Sequence, residues 1–488
     1  MEIKKEKEGE YFKGISVKKN ENFSEWYSEV VQKCELADIR TSVKGCLVFQ
    51  PWSVIPMEKM YKILEEILQR KKHKPYFFPT LIPESNLKKE VEHIEGFSPE
   101  VYWVTQGGDE KFEERLALRP TSETIIYPMF SLWIRSYKDL PFKVYQRANI
   151  FRYETKATRP FLRSREFYWI ESHCAHKTEE DAMKQVYEDM ETTEEFLNKN
   201  LGLPFIFFER PQWDKFAGAK KTFAADVLNP DGRVVQQPST HLLGQDFAKA
   251  YDVKFVDERG KEQYAWLTCY GPAISRIFAS VIISHGDDKG IRFPWKIAPI
   301  QVMIVPIKKD RKILEKAEEI IKKVSKYASI DIDLSDKTPG EKFNIWEMKG
   351  VPIRIDLGTK EVERDVLTIF RRDLNKKEEI PTKLFISKIK KIGKEYEKNL
   401  FKEANILFKE KIREVYSLEE LKKAIEEGYI AKCDFCSIDK EGFNCAEIIE
   451  KNAGVTIRGK TLKGEKPKGK CIICKKEAKE VIYAARQY

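Results

Sequence analysis

The chain has 488 residues, which at roughly 150 residues per domain suggests about three domains. Apolar residues make up 42% and charged residues 34%, mean hydropathy is -0.52, and no apolar run approaches the roughly 20 residues of a membrane span, so a membrane-spanning protein is excluded. Lys and Arg number 88 against 78 Asp and Glu, a surplus of +10 that suits a polyanionic partner without requiring one.

Met1-Glu2-Ile3-Lys4-Lys5-Glu6-Lys7 carries mixed charge and lacks the apolar segment of a secretory signal, so an intracellular, cytoplasmic chain without a disulfide scaffold is expected. Further on, Met60, Tyr61, Leu64, Ile67 and Leu68 recur at three- and four-residue spacing and predict an amphipathic helix over 57–70. The run Lys74-Pro75-Tyr76-Phe77-Phe78-Pro79-Thr80-Leu81-Ile82-Pro83 is aromatic and β-branched. Its prolines lack ladder donors and belong at strand ends or a sheet edge, which suits a rim or a subunit interface.

Between Phe142 and His176 two apolar strand patterns flank a loop carrying Arg159, Arg163 and Arg165, which predicts two antiparallel strands and a basic loop. Thr178-Glu179-Glu180-Asp181 resembles a capping box with Asp in the usual Glu place, opening a helix through Val186, Met190 and Phe196. Past Trp295 the pattern changes: Gln301–Pro306, a Lys/Glu helix over 312–326, Ile330–Leu334 and Val351–Asp356 alternate strand and helix, as in a separate α/β domain. After about residue 390 come Lys/Glu-rich helices and then Cys433, Cys436, Cys445, Cys471 and Cys474. In a reducing compartment such a cluster reads as a metal site before disulfides.

The densest convergence of chemistry is Arg152, Glu154, Arg163 and Arg165, joined from far along the chain by Arg276. Guanidiniums fork onto phosphate or carboxylate, and with no lysine-bearing Walker loop present they would have to neutralise phosphoryl charge themselves. The alternative is a strand-surface ion pair beside solvated loop arginines, and local composition leaves both open.

Phe151-Arg152-Tyr153-Glu154, the loop closing at Arg163-Ser164-Arg165-Glu166-Phe167, and Gly271-Pro272-Ala273-Ile274-Ser275-Arg276-Ile277 resemble motifs 2 and 3 of class II aminoacyl-tRNA synthetases; the stretch before Pro79 resembles motif 1. Within that class, Arg119-Pro120-Thr121-Ser122-Glu123, Trp169-Ile170-Glu171-Ser172-His173, Ser239–Gln245 and Lys349-Gly350-Val351-Pro352-Ile353-Arg354 resemble the archaeal/eukaryotic-type prolyl-tRNA synthetases, in order over nearly the whole chain.

The resemblance implies a catalytic residue pair, Arg152 and Arg276. Arg152 would clamp the α-phosphate and the amino-acid carboxylate, with Glu154 near the adenine amino group, Arg163 on the outer phosphates, Arg276 on the γ-phosphate and Gln236 and Ser239 beside the nucleotide. ATP would enter with Mg2+. Thr121 and Glu123 would accept the two N–H bonds of a prolinium nitrogen, while Trp169, Glu171, His173, Phe216, His241 and Gly271 would surround the ring. Taken singly, His173, His241, Trp169 and Phe216 also suit an ordinary core. Motif 3 has one residue more between Gly271 and Arg276 than the commoner spacing. A proline-shaped pocket admits alanine and cysteine, because a missing methylene is worth only about 1–3 kcal/mol. The segment between Glu171 and His241 leaves no room for the editing insertion of bacterial-type relatives, so proofreading would act in trans.

In the second domain Glu347 and Arg354 match the family's anticodon-reading positions, and the match extends to Lys360, although Thr359 and Glu361 stand where the family usually has Pro and Asp. A carboxylate and a guanidinium suit guanine edges; a weak surface ion pair between neighbouring strands is the alternative. For the cysteines, spacing alone favours the two C-x-x-C pairs 433/436 and 471/474. The family register instead selects Cys436, Cys445, Cys471 and Cys474 as ligands of a structural Zn2+. The tail ending at Tyr488 resembles a family segment whose terminal Tyr docks near the catalytic domain.

The expectation is thus an α+β class II catalytic domain with an antiparallel sheet over 1–296, an α/β anticodon-binding domain over 297–395 and a small zinc-binding α/β domain over 396–488. The chain would be a homodimer that activates L-proline with ATP and charges tRNA(Pro). The rivals are a non-catalytic RNA-binding paralogue, which would not need the arginine clamp, and a synthetase for threonine or histidine. A threonine enzyme would need zinc ligands in its catalytic domain.

Overall fold

The computed structural model describes residues 14–93, 100–155 and 157–488; Met1–Lys7 lies outside the described residues. They divide into two compact units, one of residues 39–48, 57–280 and 403–488, the other of 14–38, 49–56 and 281–402. The chain leaves the larger unit after Ser280 and returns after Lys402.

In the larger unit the sheet is built from β1 (Lys74–Pro75), β2 (Phe142–Phe151), β3 (Glu166–His176), β4 (Ile206–Glu209), β5 (Lys221–Leu228), β6 (Arg233–Gly244) and β7 (Trp266–Gly271), in spatial order β4-β5-β6-β7-β3-β2-β1. All these pairs are antiparallel except the edge pair β1·β2. The proline-rich run thus does lie at a sheet edge. One row of the register runs Thr222, His241, Cys269, His173, Val144 across five strands. Side chains alternate along a strand, so Trp169, Glu171 and His173 share a face with Ser239, His241, Cys269 and Gly271.

Helix α1 (Pro51–Arg70) begins six residues before the expected Met57, because Pro51 is suited to a helix's first turn; its buried stripe is Met57, Met60, Tyr61, Leu64, Ile67 and Leu68. Arg147 on β2 reaches back to Glu58 and Glu65, two turns apart on that helix. Helix α2 (Glu123–Trp133) leads into β2. Helix α3 (Glu179–Thr193) covers the other face of the sheet, with Ala182, Val186 and Met190 against Phe223 and Leu242. Its start is half of the expected box: Thr178 Oγ1 accepts the Asp181 N–H at 3.1 Å, but the shorter Asp side chain takes the Thr178 hydroxyl at 3.0 Å. Helix α4 (Ile274–His285) follows β7 directly.

The smaller unit carries the expected α/β pattern. Its sheet comprises β8 (Val302–Pro306), β9 (Ile330–Ile332), β10 (Ile353–Leu357), β11 (Val366–Arg371) and β12 (Lys376–Pro381), in order β9-β8-β10-β11-β12, parallel in the first three strands. Helix α5 (Arg311–Val324), capped by Asp310, buries Ile313, Ala317, Ile320 and Val324 against Val302, Ile304, Ile353 and Ile355. Helix α6 (Pro339–Met348) opens with a complete capping box between Thr338 and Glu341.

The long helix α7 (Thr382–Glu410) leads to the C-terminal segment, with β13 (Ile412–Glu414), α8 (Leu418–Glu426), β14 (Ile430–Phe435), α9 (Phe443–Ala453), β15 (Thr456–Thr461) and β16 (Glu480–Gln487). Within the larger unit this segment joins the catalytic sheet. Its strands, in order β13-β14-β16-β15, continue the catalytic sheet through β15·β4, and β16 also pairs with β6 at Arg233↔Arg486.

A polar layer lies on the α3 side of the sheet. Asp189 accepts bonds from Thr240 at 2.7 Å and Gln185 at 2.8 Å, and burial pushes its carboxyl up to about 7. Burial, helped by Lys143, pushes His73 and His176 down to about 4 each, and burial with nearby Arg210 takes His241 to about 3. These histidines have an unfolded value of about 6.5. From there down to about pH 4 the unfolded chain binds protons that the native state refuses, so stability is lost as pH falls; Asp189, protonated earlier in the native state, works the other way. The thermal midpoint is therefore expected to fall between pH 7 and 5, and His176→Gln to flatten that slope by about one proton, about 1.4 kcal/mol per pH unit. Calorimetric scans across this range check it.

Candidate active site

On the shared face of β3, β5, β6 and β7 lies a cavity of about 270 Å³. Thr121, Glu123, Arg152, Trp169, Glu171, His173, Phe216, Gln236, Ser239, His241, Gly271 and Arg276, all expected from sequence, line it together. Glu154 and Arg163 do not.

Thr121 and Glu123 sit at the entry to α2. The Thr121 hydroxyl donates to Glu123, while the N-cap residue Ser122 donates to Glu171. Gln146 on β2 donates to the same Glu171 oxygen at 2.7 Å, and His173 Nε2 lies 3.2 Å from the other. Burial alone would raise the Glu171 carboxyl; the bonds from His173, Ser122 and Gln146 outweigh it and hold the group below the usual carboxylate range. Tyr127, its phenol pushed far up by burial, completes the chain at 3.0 Å from His173 Nδ1. Each member of the chain thus orients its neighbour.

On β5 and β6, Thr222 Oγ1 accepts the Phe216 N–H at 2.8 Å and lies 2.9 Å from His241 Nδ1, while His241 Nε2 is 3.0 Å from Ser239 Oγ. His241 is neutral at physiological pH. With the Thr222 hydroxyl donating to Nδ1, Nε2–H donates to Ser239, whose own hydroxyl proton is left for another acceptor. Gly271 has a packing reason to be glycine: a Cβ there would stand 3.2 Å from the Trp169 ring.

Arg152 follows β2 by one residue. Its Nε donates to Pro120 O at 3.1 Å and its guanidinium faces the Phe167 ring at 5.3 Å. Burial lowers its pKa, and the carboxylates of Glu154, Glu123 and Glu171 pull it back. Arg276, on the first turn of α4, donates to Leu162 O and Gln236 O. Burial and the neighbouring Arg152 and Arg163 push it down to about 10, so it stays charged at pH 7. Arg152 and Arg163 are thus near enough to repel Arg276, and a gathering of guanidinium charge of this kind suits a polyanion.

Arg163 lies just beyond the cavity wall, donating to Tyr488 O at 2.8 Å, and the Tyr488 ring lies beneath Arg159 and Arg233. Glu154 presents its backbone carbonyl to Arg165 at 3.0 Å. Sequence reasoning missed Phe167, Arg210, Thr222 and Cys269, which also line the cavity. Thr222 and Cys269 were legible only through the strand register. Arg210 had an indirect signal in Asp226, a lone charge in the apolar run Phe223–Leu228 that demands a buried partner.

In the smaller unit Glu347 lies on α6 and Arg354 on β10, so their 2.8 Å ion pair joins helix to strand and is not the weak surface pair between strands weighed above. Arg354 is buried between the Phe343 and Phe370 rings, its Nε on Asp356 at 2.7 Å. Lys360 is exposed at the start of the helix Thr359–Arg364, where Glu361 accepts the Gly358 N–H and the Thr368 hydroxyl.

In the C-terminal segment the sulfurs of Cys436, Cys445, Cys471 and Cys474 lie within 4.8 Å of one another. Cys433 is instead a buried β14 residue packed among Val415, Leu421 and Ile482. A metal with tetrahedral bonds of about 2.3 Å to sulfur needs sulfurs about 3.8 Å apart, and this set fits such an ion.

An antiparallel sheet with a cationic cavity, an α/β partner domain and three motifs in the expected order along this one chain define a class II aminoacyl-tRNA synthetase. Family models agree: tRNA synthetase class II core domain (G, H, P, S and T) matches residues 102–285, Anticodon binding domain 301–392, and Prolyl-tRNA synthetase, C-terminal 418–488. The chain is 46% identical to the proline--tRNA ligase of Thermofilum pendens over 97% of its own length and 99% of that protein, and 42% identical to that of Methanopyrus kandleri over 96% of each. Among solved structures, Giardia lamblia prolyl-tRNA synthetase in complex with prolyl-adenylate superposes with a TM-score of 0.93 at 35% identity, covering 97% of this chain and 100% of that one. The Cryptosporidium parvum enzyme complexed with L-proline and AMP gives 0.89 at 33%, covering 97% of each. The chain belongs to the prolyl-tRNA synthetase family, of the archaeal/eukaryotic type: aminoacyl-tRNA ligases that convert L-proline and ATP to prolyl-adenylate and then charge tRNA.

Proposed function

We propose that the cavity on the β3-β5-β6-β7 face holds L-proline and ATP side by side. The observation that carries this reading is one desolvated space offering carboxylates for a prolinium nitrogen and guanidiniums for a carboxylate and phosphates. Glu123 and the Thr121 oxygen accept the two N–H bonds of the ring nitrogen. Trp169, Phe216, His173, His241 and Gly271 enclose the methylenes, and Glu171 orients His173. Trp169 Nε1, a buried donor without a protein partner, supports a polar group in the bound ligand.

Arg152 clamps the proline carboxylate and the α-phosphate, bringing oxygen and phosphorus into line. The carboxylate oxygen bonds to phosphorus as the bond to pyrophosphate breaks, and Arg276 and Arg163 take the leaving charge, relieving the repulsion between these arginines. Glu154, Gln236 and Ser239 border the nucleotide, which enters with Mg2+. The terminal ribose hydroxyl of tRNA(Pro) then attacks the activated carbonyl and AMP departs.

For the anticodon, Glu347 presents its carboxylate to guanine edges and Arg354 holds that carboxylate from the protein side, with Lys360 contributing exposed charge. Cys436, Cys445, Cys471 and Cys474 hold a structural Zn2+; four thiolates leave no open position, so the ion staples the segment and takes no part in the chemistry. A homodimer is supported by the resemblance to motif 1 and by Phe77, 86% exposed beside the edge strand β1. The enzyme works in the cytoplasm, where charged tRNA is used, and no helix among the described residues is long and apolar enough to cross a membrane.

Exchange of labelled pyrophosphate into ATP, run with each of the twenty amino acids, tests the reading. Proline is expected to dominate, with alanine and cysteine giving small residual signals, and Arg152→Ala to lower the proline signal roughly 10²–10³-fold, as loss of a charge-stabilising donor does. No proline signal from the folded protein sinks the assignment. Gly271→Ala presses on the Trp169 ring and is expected to raise the KM for proline about tenfold, an overpacking cost of about 1.4 kcal/mol, while leaving the KM for ATP nearly unchanged. In metal analysis of the purified protein, Cys445→Ser is expected to lose its zinc and Cys433→Ser to keep one ion per chain; the reverse result would restore the two C-x-x-C pairs.

A further inference from the structure

The C-terminal segment sends one side chain towards the cavity. Arg458, on β15, is 1% exposed, and its Nε and Nη2 donate to Asp226 on β5 at 2.7 and 3.3 Å. From the other side Arg210 forks onto the same carboxylate, Nη2 to Oδ1 at 2.6 Å and Nη1 to Oδ2 at 3.1 Å. Arg210 is 2% exposed, lines the cavity, and comes within 3.4 Å of Gln236 Oε1. Two further bonds lock the pair: Arg210 Nη1 donates to the backbone carbonyl of Arg458 at 2.8 Å, and Arg458 Nη1 donates to Gln487 Oε1 at 3.0 Å. Asp226 stands opposite Gln236 in the β5·β6 register.

Both carboxylate oxygens of Asp226 thus receive a guanidinium from each side, one from the catalytic sheet and one from the C-terminal segment. Asp214, on the cavity wall, adds a more distant carboxylate to their field. A buried charge that loses one partner either turns to find another or draws in water. If the Arg458 guanidinium were absent, Asp226 would have only Arg210 to satisfy it, and Arg210 would be held to the C-terminal segment by the backbone carbonyl of residue 458 alone.

We propose that Arg458 is a positioning residue for ATP: acting through Asp226, it sets Arg210 and Gln236 at the nucleotide side of the cavity, which makes the C-terminal segment a working part of the active site. This rests on the reading of the cavity given above, in which Gln236 borders the nucleotide.

The test uses full-length, zinc-loaded protein in proline-dependent pyrophosphate exchange, comparing Arg458→Met, Arg458→Lys, Arg210→Met and the Arg458→Met/Arg210→Met double variant. Lys460→Met, on the same strand but in a partly exposed ion pair with Glu480, controls for general damage to the segment. Arg458→Met is expected to raise the KM for ATP about tenfold while the KM for proline changes less than twofold; Arg458→Lys, which keeps the charge but not the fork, should do the same to a lesser degree. Combined with Arg210→Met, the effect of Arg458→Met on the KM for ATP should largely vanish, since both act through one carboxylate. An unchanged KM for ATP, equal losses on ATP and proline, or additive effects would overturn the proposal. If Arg458→Met does not fold, Arg458→Lys decides by the same ratio of ATP to proline effects. Failure of the unmutated protein to exchange with proline would instead remove the reading on which the inference stands.

Discussion

The two-residue period of an antiparallel strand, held in register across five strands, is the constraint on which the site depends. Trp169, Glu171 and His173 face the cavity because they alternate along β3, and they meet Cys269, Gly271, Ser239 and His241 only because β7 and β6 pair at one register. A slip by one residue would turn Ile170, Ser172 and Cys174 into the cavity and bury the carboxylate against α3. The packing on the α3 side, where Thr240, Tyr270, Phe223 and Leu242 engage α3, opposes that slip.

The second constraint is electrostatic. Removing charges from water is costly unless each has partners, and the cavity contains both signs in quantity. Glu171 solves the problem within the protein, through Ser122, Gln146 and His173. Arg152 and Arg276 solve it only in part: Arg276 has two weak carbonyl contacts and a lowered pKa, while Arg163, outside the cavity wall, donates to the Tyr488 carbonyl. The site is thereby satisfied where it holds its own shape and left with guanidinium charge only partly compensated at its cationic end. His241 belongs to the first kind, kept neutral by burial so that it serves as a hydrogen-bonding strut between Thr222 and Ser239.

The C-terminal segment has its own apolar core around Leu421, Phe435, Ile449 and Ile482, and gains further stability by not standing alone. It extends the catalytic sheet through β15 and β16, shares the buried Arg210-Asp226-Arg458 cluster with it, and gathers four cysteine sulfurs at one edge of that core. These links place the end of the chain beside the basic loop between β2 and β3.

What the sequence by itself determined was everything encoded over short spans: the strand pair around the basic loop, the amphipathic helices, the alternating pattern of the second domain, and runs such as Phe151–Glu154 and Trp169–His173, whose residue types match a recognisable chemistry. The same local reading left Glu347 and Arg354 as a surface pair and two C-x-x-C pairs as the simplest metal site, because spacing along a chain says nothing of burial. The family resemblance had already preferred Cys445 to Cys433, and the structure puts Cys433 in the core and the Cys445 sulfur in the cluster; tertiary structure alone decided that Arg354 lies inside its domain and that Arg458 meets Arg210 over Asp226, more than two hundred positions away from both. The physical reason is that local alternation says which face a side chain takes, whereas its neighbour on that face is set by strand order and register, and these are the outcome of packing the whole chain.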